Sequence, residues 1–330
     1  MVVTVLLFIL GLVLLIKGGD WFVDGSVGIA RRFNVPELLI GATVVSIGTT
    51  LPEVLVSAGA AVSGQSQLAY GNAIGSVICN TALIAAISAT LTPGPCERKS
   101  LKLPVIFFFI AAGVYSIAAY VFGTFSRLTG IILLAIFVVY MFLTVKKAFA
   151  ASKEPDFSQP LPDSLPAGDN KEAPSIGKSV LLLVVGAAMI AFGADLLIDN
   201  GTLIAQALGV PQSVIGLTII AIGTSLPELI TAITSIRKKH GALSVGNVIG
   251  ANLFNLVLVS GLAVTLSPFD VPAEKQLFGM NASFVLDLPV MWAVMLIFTL
   301  PALVRNKISR AQGIILLAIY AAFLTVQLLF

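Results

Sequence analysis

Apolar residues run along this chain in long blocks, separated by short polar connections. Blocks long enough to cross a hydrocarbon layer of roughly 30 Å as helices fall at 2–30, 37–63, 67–91, 103–123, 128–146, 178–208, 212–236, 243–266, 284–304 and 311–330. The first and sixth are long and carry polar residues, as tilted helices do. The first also lacks a basic leading region and a small-residue cleavage site, so it reads as a membrane helix rather than a removable signal. The one extended polar stretch, 147–177, is rich in proline and acidic residues and reads as a linker rather than a domain. The pattern predicts an all-α polytopic membrane protein with ten transmembrane helices.

The blocks are two copies of one unit. From Gly11 to Pro93 the chain aligns without a gap on Gly186 to Pro268 at a constant offset of 175 positions. The offset carries Asp20 onto Asp195, Asp24 onto Asp199, Pro36 onto Pro211, Glu53 onto Glu228 and Asn80 onto Asn255. Further on, Leu101-Lys102-Leu103-Pro104-Val105 recurs as Leu286-Asp287-Leu288-Pro289-Val290, and Gly130 to Ile136 returns unchanged at Gly313 to Ile319. An odd number of helices per copy forces the second copy to enter the membrane from the opposite side. The expected architecture is therefore two inverted five-helix repeats, 1–146 and 178–330, joined by the linker 147–177. Secondary transporters are often built this way, with the substrate near the midplane between the repeats.

Charge placement tests that topology. Of the 19 Lys and Arg residues, all but Lys17, Arg127 and Lys275 fall in the 1–2, 3–4, 5–6, 7–8 and 9–10 connections or at their edges. The positive-inside rule then puts those connections, the 147–177 loop included, in the cytoplasm and both termini outside, in a multi-pass inner (cell) membrane protein. Composition agrees: 58% of the 330 residues are hydrophobic, 11% are charged, and mean hydropathy is +1.03. The net charge of +3 and the two cysteines, Cys79 and Cys96, point neither to nucleic acid nor to a disulfide framework.

The chemistry sits in the repeated motif. Gly48-Thr49-Thr50-Leu51-Pro52-Glu53 and Gly223-Thr224-Ser225-Leu226-Pro227-Glu228 place a glutamate near the centre of the second and seventh blocks. An ionisable group at that depth costs several kcal/mol and marks function by default. Each proline removes a donor from the carbonyl four residues back, Gly48 or Gly223. The helix is therefore expected to break just before each glutamate, freeing carbonyls around Ser46–Thr49 and Ala221–Thr224. Carbonyls, hydroxyls and two carboxylates form an all-oxygen set, which suits hard cations; nearby His or Cys, which zinc or copper would want, is lacking. The third and eighth blocks add Gly71-Asn72-Ala73-Ile74-Gly75-Ser76 through Asn80, and Gly246-Asn247-Val248-Ile249-Gly250-Ala251 through Asn255. Ser76 and Asn80, four apart, share a helix face, and the glycines allow close helix approach.

These paired motifs resemble the alpha-repeats of the sodium/calcium exchanger family, within the cation/calcium antiporter superfamily, and the resemblance spans essentially the whole chain. It implies a secondary antiporter, not an enzyme, with Ca²⁺ and Na⁺ as its transported ions, no cofactor, the lipid bilayer as its surroundings and a monomer as the working unit. It also implies that Thr49, Glu53, Thr224 and Glu228 coordinate calcium, the threonines through main-chain carbonyls. Ser46, Thr50, Ala221, Ser225, Ser76, Asn80 and Asn255 match positions that complete the centre or build flanking sodium sites. Some members carry aspartate at the position of Asn255 and serine at that of Ala251, so this centre has two formal negative charges rather than three. A proton- or potassium-coupled exchanger of the same fold is the alternative reading, and a cation channel the more distant one.

Weaker signals have plainer readings. Asp20, Asp24, Asp195 and Asp199 either line ion entrances or satisfy hydrogen bonds and water near helix ends. Arg237-Lys238-Lys239-His240 reads as a topogenic cluster, Cys79 as a packing residue, and Trp21 and Trp292 as packing or interface aromatics.

Overall fold

The computed structural model describes residues 2–33, 35–153, 175–208, 225–273 and 275–329. Its helices, in chain order, are α1 (Val2–Arg32), α2 (Glu37–Val62), α3 (Leu68–Leu91), α4 (Arg98–Phe122), α5 (Arg127–Lys153), α6 (Ile176–Ala207), α7 (Leu226–Arg237), α8 (Gly241–Leu266), α9 (Ser283–Arg305) and α10 (Arg310–Leu329). Among the described residues, nine helices are long and apolar enough to cross a membrane. Of the seventh predicted span only the α7 portion is described; 212–224 lie outside the described residues. One boundary differs from expectation: α5 stays helical past 146 to Lys153. No proline intervenes before Pro155, and this stretch carries helix-favouring Lys and Ala.

Among the described residues, short connections carry six two-residue strands: β1 (Gly94–Pro95), β2 (Thr124–Phe125), β3 (Phe269–Asp270), β4 (Gln276–Leu277), β5 (Met280–Asn281) and β6 (Lys307–Ile308). Their pairing displays the inversion. Gly94 and Pro95 pair with Ile308 and Lys307, while Phe269 and Asp270 pair with Phe125 and Thr124. Each ladder is the repeat image of the other, with the roles of first and second copy exchanged. Side chains follow the same rule: Arg127 Nε donates to the Thr265 carbonyl at 3.0 Å, and its image Arg310 Nε donates to the Thr90 carbonyl at 3.0 Å. One ladder lies at the end of the bundle that also carries Arg31, Arg32, Arg98 and Arg237, hereafter the basic end; the other lies at the opposite end.

The most buried helices are α3 and α8, which run through the centre, whereas α1, α5, α6 and α10 present leucine, isoleucine and valine outward. In water such exposure would be costly, but in a bilayer it is the ordinary lipid-facing surface. α1 and α6 pack antiparallel along a glycine stripe. Gly11, Gly18 and Gly25 on α1 recur every seven residues, and Gly11 and Gly18 map onto Gly186 and Gly193 of α6. A Cβ at Gly18 would lie 2.9 Å from the Gly186 carbonyl, and one at Gly193 would lie 2.9 Å from the Gly11 carbonyl. Only glycine permits this backbone contact. Around this stripe Leu15 and Phe22 of α1 pack with Ile190 and Ala194 of α6, which makes a close seam between two long helices.

Candidate cation site

α2 does not break before Glu53. The helix is continuous from Ser46 to Val62 with Pro52 inside it, and the irregularity lies upstream as a π-helical turn, Gly41–Val45. The physical reason is local compensation. The wider π turn takes up the strain, and Ser46 Oγ donates to the Gly41 carbonyl at 2.7 Å. The expected break near Ser46–Thr49 is thus corrected to a deformed but unbroken helix. In the second copy, α7 begins at Leu226 with Ser225 as its N-cap residue and Pro227 and Glu228 in its first turn. Proline is tolerated there because its missing N–H would be unpaired anyway, and an acid there is favoured by the helix dipole. Ala221 and Thr224 lie outside the described residues.

α3 and α8 are deformed in the same way at matching places. A π turn starts at Asn80 (Asn80–Ala85) and another at Asn255 (Asn255–Ser260). π turns inside long helices recur at functional sites because they rotate side chains out of register and loosen a backbone carbonyl.

Three symmetry-related pairs stand at matching places on these four helices: Thr50 and Ser225, Glu53 and Glu228, and Asn80 and Asn255. All six residues are buried, and the side-chain oxygens and nitrogens of all six lack a hydrogen-bond partner. Buried polar groups are satisfied in the great majority of cases, so a cluster of unsatisfied donors and acceptors on one set of helices points to a ligand. The Glu53 and Glu228 carboxylates are close enough to repel one another directly, and the hydroxyls of Thr49 and Thr50 reach electrostatically toward Glu228 without full hydrogen-bond geometry. Ser76 and Ser46 are buried on the same helices. Among the described residues no group of three or more His, Cys, Asp and Glu gathers; the polar set is two carboxylates among neutral oxygen and amide groups. Such a set fits a hard cation that is partly ligated by neutral oxygens. A cavity of about 10 Å³, the size of roughly one water-sized sphere, lies beside Thr49, Pro52 and Pro227, under Phe22 of α1 and Ala187 and Ile190 of α6. The glycine-striped helix pair therefore covers the site.

Sequence reasoning passed over two supporting asparagines. Asn247 is fully buried; its Oδ1 accepts from Ser46 Oγ and Thr49 Oγ1, each at 3.3 Å, and its carbonyl accepts from Ser46 Oγ at 3.0 Å. Asn247 belongs to the second repeat and those hydroxyls to the first, so the contact ties α8 to α2 across the repeat boundary. Its counterpart Asn72 donates to Ser57 Oγ at 2.8 Å and to the Glu53 carbonyl at 3.3 Å. The legible signal was the spacing: Asn72, Ser76 and Asn80, like Asn247, Ala251 and Asn255, stand four apart on one helix face. Gly246 and Gly250 pack against Leu38 and Ala42 of α2 as the close-approach reading requires, whereas no described atom lies within 4 Å of a Cβ built at Gly71 or Gly75.

The plainer signals resolve as well. Cys79 and Cys96 are buried free thiols, and burial pushes Cys96, in the α3–α4 connection, up to about 11. Trp292 Nε1 donates to Ser116 Oγ at 2.9 Å, while Trp21 is exposed. Asp20 and Asp24 pair with Arg237 and Lys238, so they are satisfied near a helix end, and those two cations have protein partners as well as any topogenic role.

Inverted repeats, helices deformed by π turns at matching places and a buried, unsatisfied polar cluster define a polytopic membrane transporter. The profile of the family described as sodium/calcium exchanger protein matches residues 3–146 and 178–329. The chain is 38% identical over 318 residues, 95% of its length and 94% of the relative's, to an uncharacterized membrane protein of Methanocaldococcus jannaschii. It is 32% identical to the sodium/calcium exchanger MaX1 of Methanosarcina acetivorans, with 98% of each chain covered. A solved structure of the sodium-calcium exchanger NCX_Mj, soaked with Na⁺ and Ca²⁺, superposes with a TM-score of 0.80 at 33% identity, covering 98% of this chain and 97% of the other. The chain belongs to the sodium/calcium exchanger family.

Proposed function

We propose that this protein is a secondary antiporter that exchanges Ca²⁺ for Na⁺ by alternating access, with Glu53 and Glu228 as the charged ligands of one central site. The observation that carries the reading is the symmetric set of unsatisfied buried groups around those carboxylates. In this reading Thr49 and Thr224 contribute main-chain carbonyls. Ser46, Thr50, Ser76, Asn80, Ala221, Ser225 and Asn255 complete the centre or form flanking sodium sites. The repeats are 1–146 and 178–330, joined by 147–177; the basic end faces the cytoplasm, both termini face outward, and a monomer in the cell membrane is the working unit.

Coupling follows from electrostatics. Any two carboxylates held about 4 Å apart repel by about 4 kcal/mol even at an effective dielectric near 20, in addition to the cost of holding each away from water. An empty centre therefore resists closure. One Ca²⁺, or a set of monovalent cations, neutralises it and lets the occluded state form, and the two cannot share it. Exchange results without any further gate.

The test is ⁴⁵Ca²⁺ uptake into proteoliposomes loaded with Na⁺, with the pH gradient collapsed and K⁺ absent. Uptake that follows the sodium gradient is expected. Uptake driven instead by an imposed pH gradient, and indifferent to Na⁺, would replace Na⁺ with H⁺; a strict need for K⁺ would make the exchanger potassium-dependent; unitary currents in a planar bilayer would make it a channel.

Asn247 supplies a second expected result. Asn247→Leu keeps the volume of the side chain but leaves the Ser46 and Thr49 hydroxyls with fewer acceptors. Unmet buried hydrogen bonds cost about 1–3 kcal/mol, so the half-saturating Ca²⁺ concentration should rise about tenfold in the same flux assay. A change below about twofold would reduce Asn247 to packing.

A further inference from the structure

The inverted repeat makes each contact at one end of the bundle a prediction for the other end. At the basic end, one group of contacts fails that prediction. Arg237, at the end of α7, pairs with Asp20 of α1. Lys238 Nζ lies 2.7 Å from Asp24 Oδ1 and donates to the Asp20 carbonyl at 2.8 Å. His240 Nδ1 bonds Glu37 Oε1, at the start of α2, at 2.9 Å. Each contact joins one repeat to the other.

The images of the acids are present and the images of their partners are not. Asp195 and Asp199 stand where Asp20 and Asp24 do, but Val62, Ser63 and Gln65 replace Arg237, Lys238 and His240, and Gln212 replaces Glu37. Asp195 and Asp199 are exposed and lie in coulombic reach of each other. The backbone turn is shared: Lys239 has φ 64°, and its image Gly64 has φ 74°. The second copy thus forces a lysine into the left-handed conformation that glycine adopts freely, in a turn whose neighbours reach α1 and α2.

The packing differs in the same sense. At the basic end, Gly19 of α1 lies against the Ile230 and Thr234 side chains of α7. At the opposite end the images of those two residues are apart from α6: Leu55 is 72% exposed, and no described atom lies within 4 Å of a Cβ built at Gly59. Among the described residues, the contact of Gly19 with Ile230 and Thr234 at the basic end has no counterpart at Leu55 and Gly59.

We infer that Asp20–Arg237, Asp24–Lys238 and Glu37–His240 form a one-sided latch that holds the basic end shut in the cation-free protein. The inference builds on the alternating-access reading above, which supplies the two states between which the latch discriminates. Partly exposed ion pairs are individually weak, so the two pairs and the His240–Glu37 hydrogen bond together should shift the balance of the two states by about tenfold rather than lock it.

The test substitutes the first repeat's residues into the second: Arg237→Val, Lys238→Ser and His240→Gln. The readout is the labelling rate of single cysteines by a charged methanethiosulfonate, in the purified full chain without Na⁺ or Ca²⁺ and with Cys79→Ala and Cys96→Ala as background. Thr234→Cys reports the basic-end seam and Gly59→Cys the opposite one. The expected result is that the triple variant labels Thr234→Cys about tenfold faster and Gly59→Cys more slowly, and that the charge swap Asp20→Arg with Arg237→Asp returns the Thr234→Cys rate toward the parent value. An unchanged Thr234→Cys rate, or a rise at both positions together, overturns the latch. ⁴⁵Ca²⁺ flux, measured separately, distinguishes the two ideas: opposed labelling changes in a protein that exchanges no Ca²⁺ would sink the transport reading and leave the latch standing.

Discussion

Glu53→Gln and Glu228→Gln should each abolish sodium-driven ⁴⁵Ca²⁺ uptake, by at least about a hundredfold, while the protein still purifies as a folded species with an unchanged or raised melting temperature. Glutamine has nearly the same shape and keeps one carbonyl oxygen, so packing survives. It removes one of two formal charges from a site whose only acids are those two, and a divalent cation in a low-dielectric centre would then stay uncompensated. Stability moves the other way because the repulsion between the two carboxylates disappears. The two signs together are diagnostic: loss of flux with loss of folding would mean a structural carboxylate, and retained flux would remove the residue from the transport path.

The second large effect is expected on the α1–α6 seam, at positions that carry no side chain. Gly18→Leu or Gly186→Leu should reduce uptake by more than about tenfold and lower the melting temperature. A Cβ at Gly186 would fall 2.5 Å from the Phe22 nitrogen and 2.8 Å from the Gly18 carbonyl, both backbone atoms that cannot rotate away. Overpacking a close helix contact costs about 1–3 kcal/mol or more, and separating the pair would uncover the small cavity beside Thr49 and Pro227. Wild-type flux and stability in either variant would show that the two helices do not depend on backbone contact. Gly177→Leu is the matched control, since nothing lies within 4 Å of a Cβ there.

Most of the architecture was legible in the residues. Span length follows from membrane thickness, and inversion follows from an odd number of helices per repeat, so ten segments and an offset of 175 sufficed for the topology. The glutamates were legible because a charge inside an apolar block has few structural excuses. The shape of α2 was misread. Proline in a helix removes one hydrogen bond, but whether the helix then breaks depends on what else can satisfy the freed groups, and here a π turn and Ser46 act at a distance from Pro52. The same holds for Asn247: the offset marks it as repeated, but its contacts with Ser46 and Thr49 belong to a helix some two hundred residues earlier.

By itself the sequence determined that the chain lives in a membrane, that it is a doubled unit turned over on itself, and that two acids recur at the same depth. Each of these is a matter of counting and periodicity, and none of the three needs a neighbour in space. Tertiary structure decided which groups the acids face, where the helices deform, and that the contacts tying α1 to α7 at the basic end are not repeated among the described residues of the other end. Those are properties of contacts between the repeats. The two copies share one pattern but differ at single positions such as Val62 against Arg237, and only packing decides which contacts those differences make or lose.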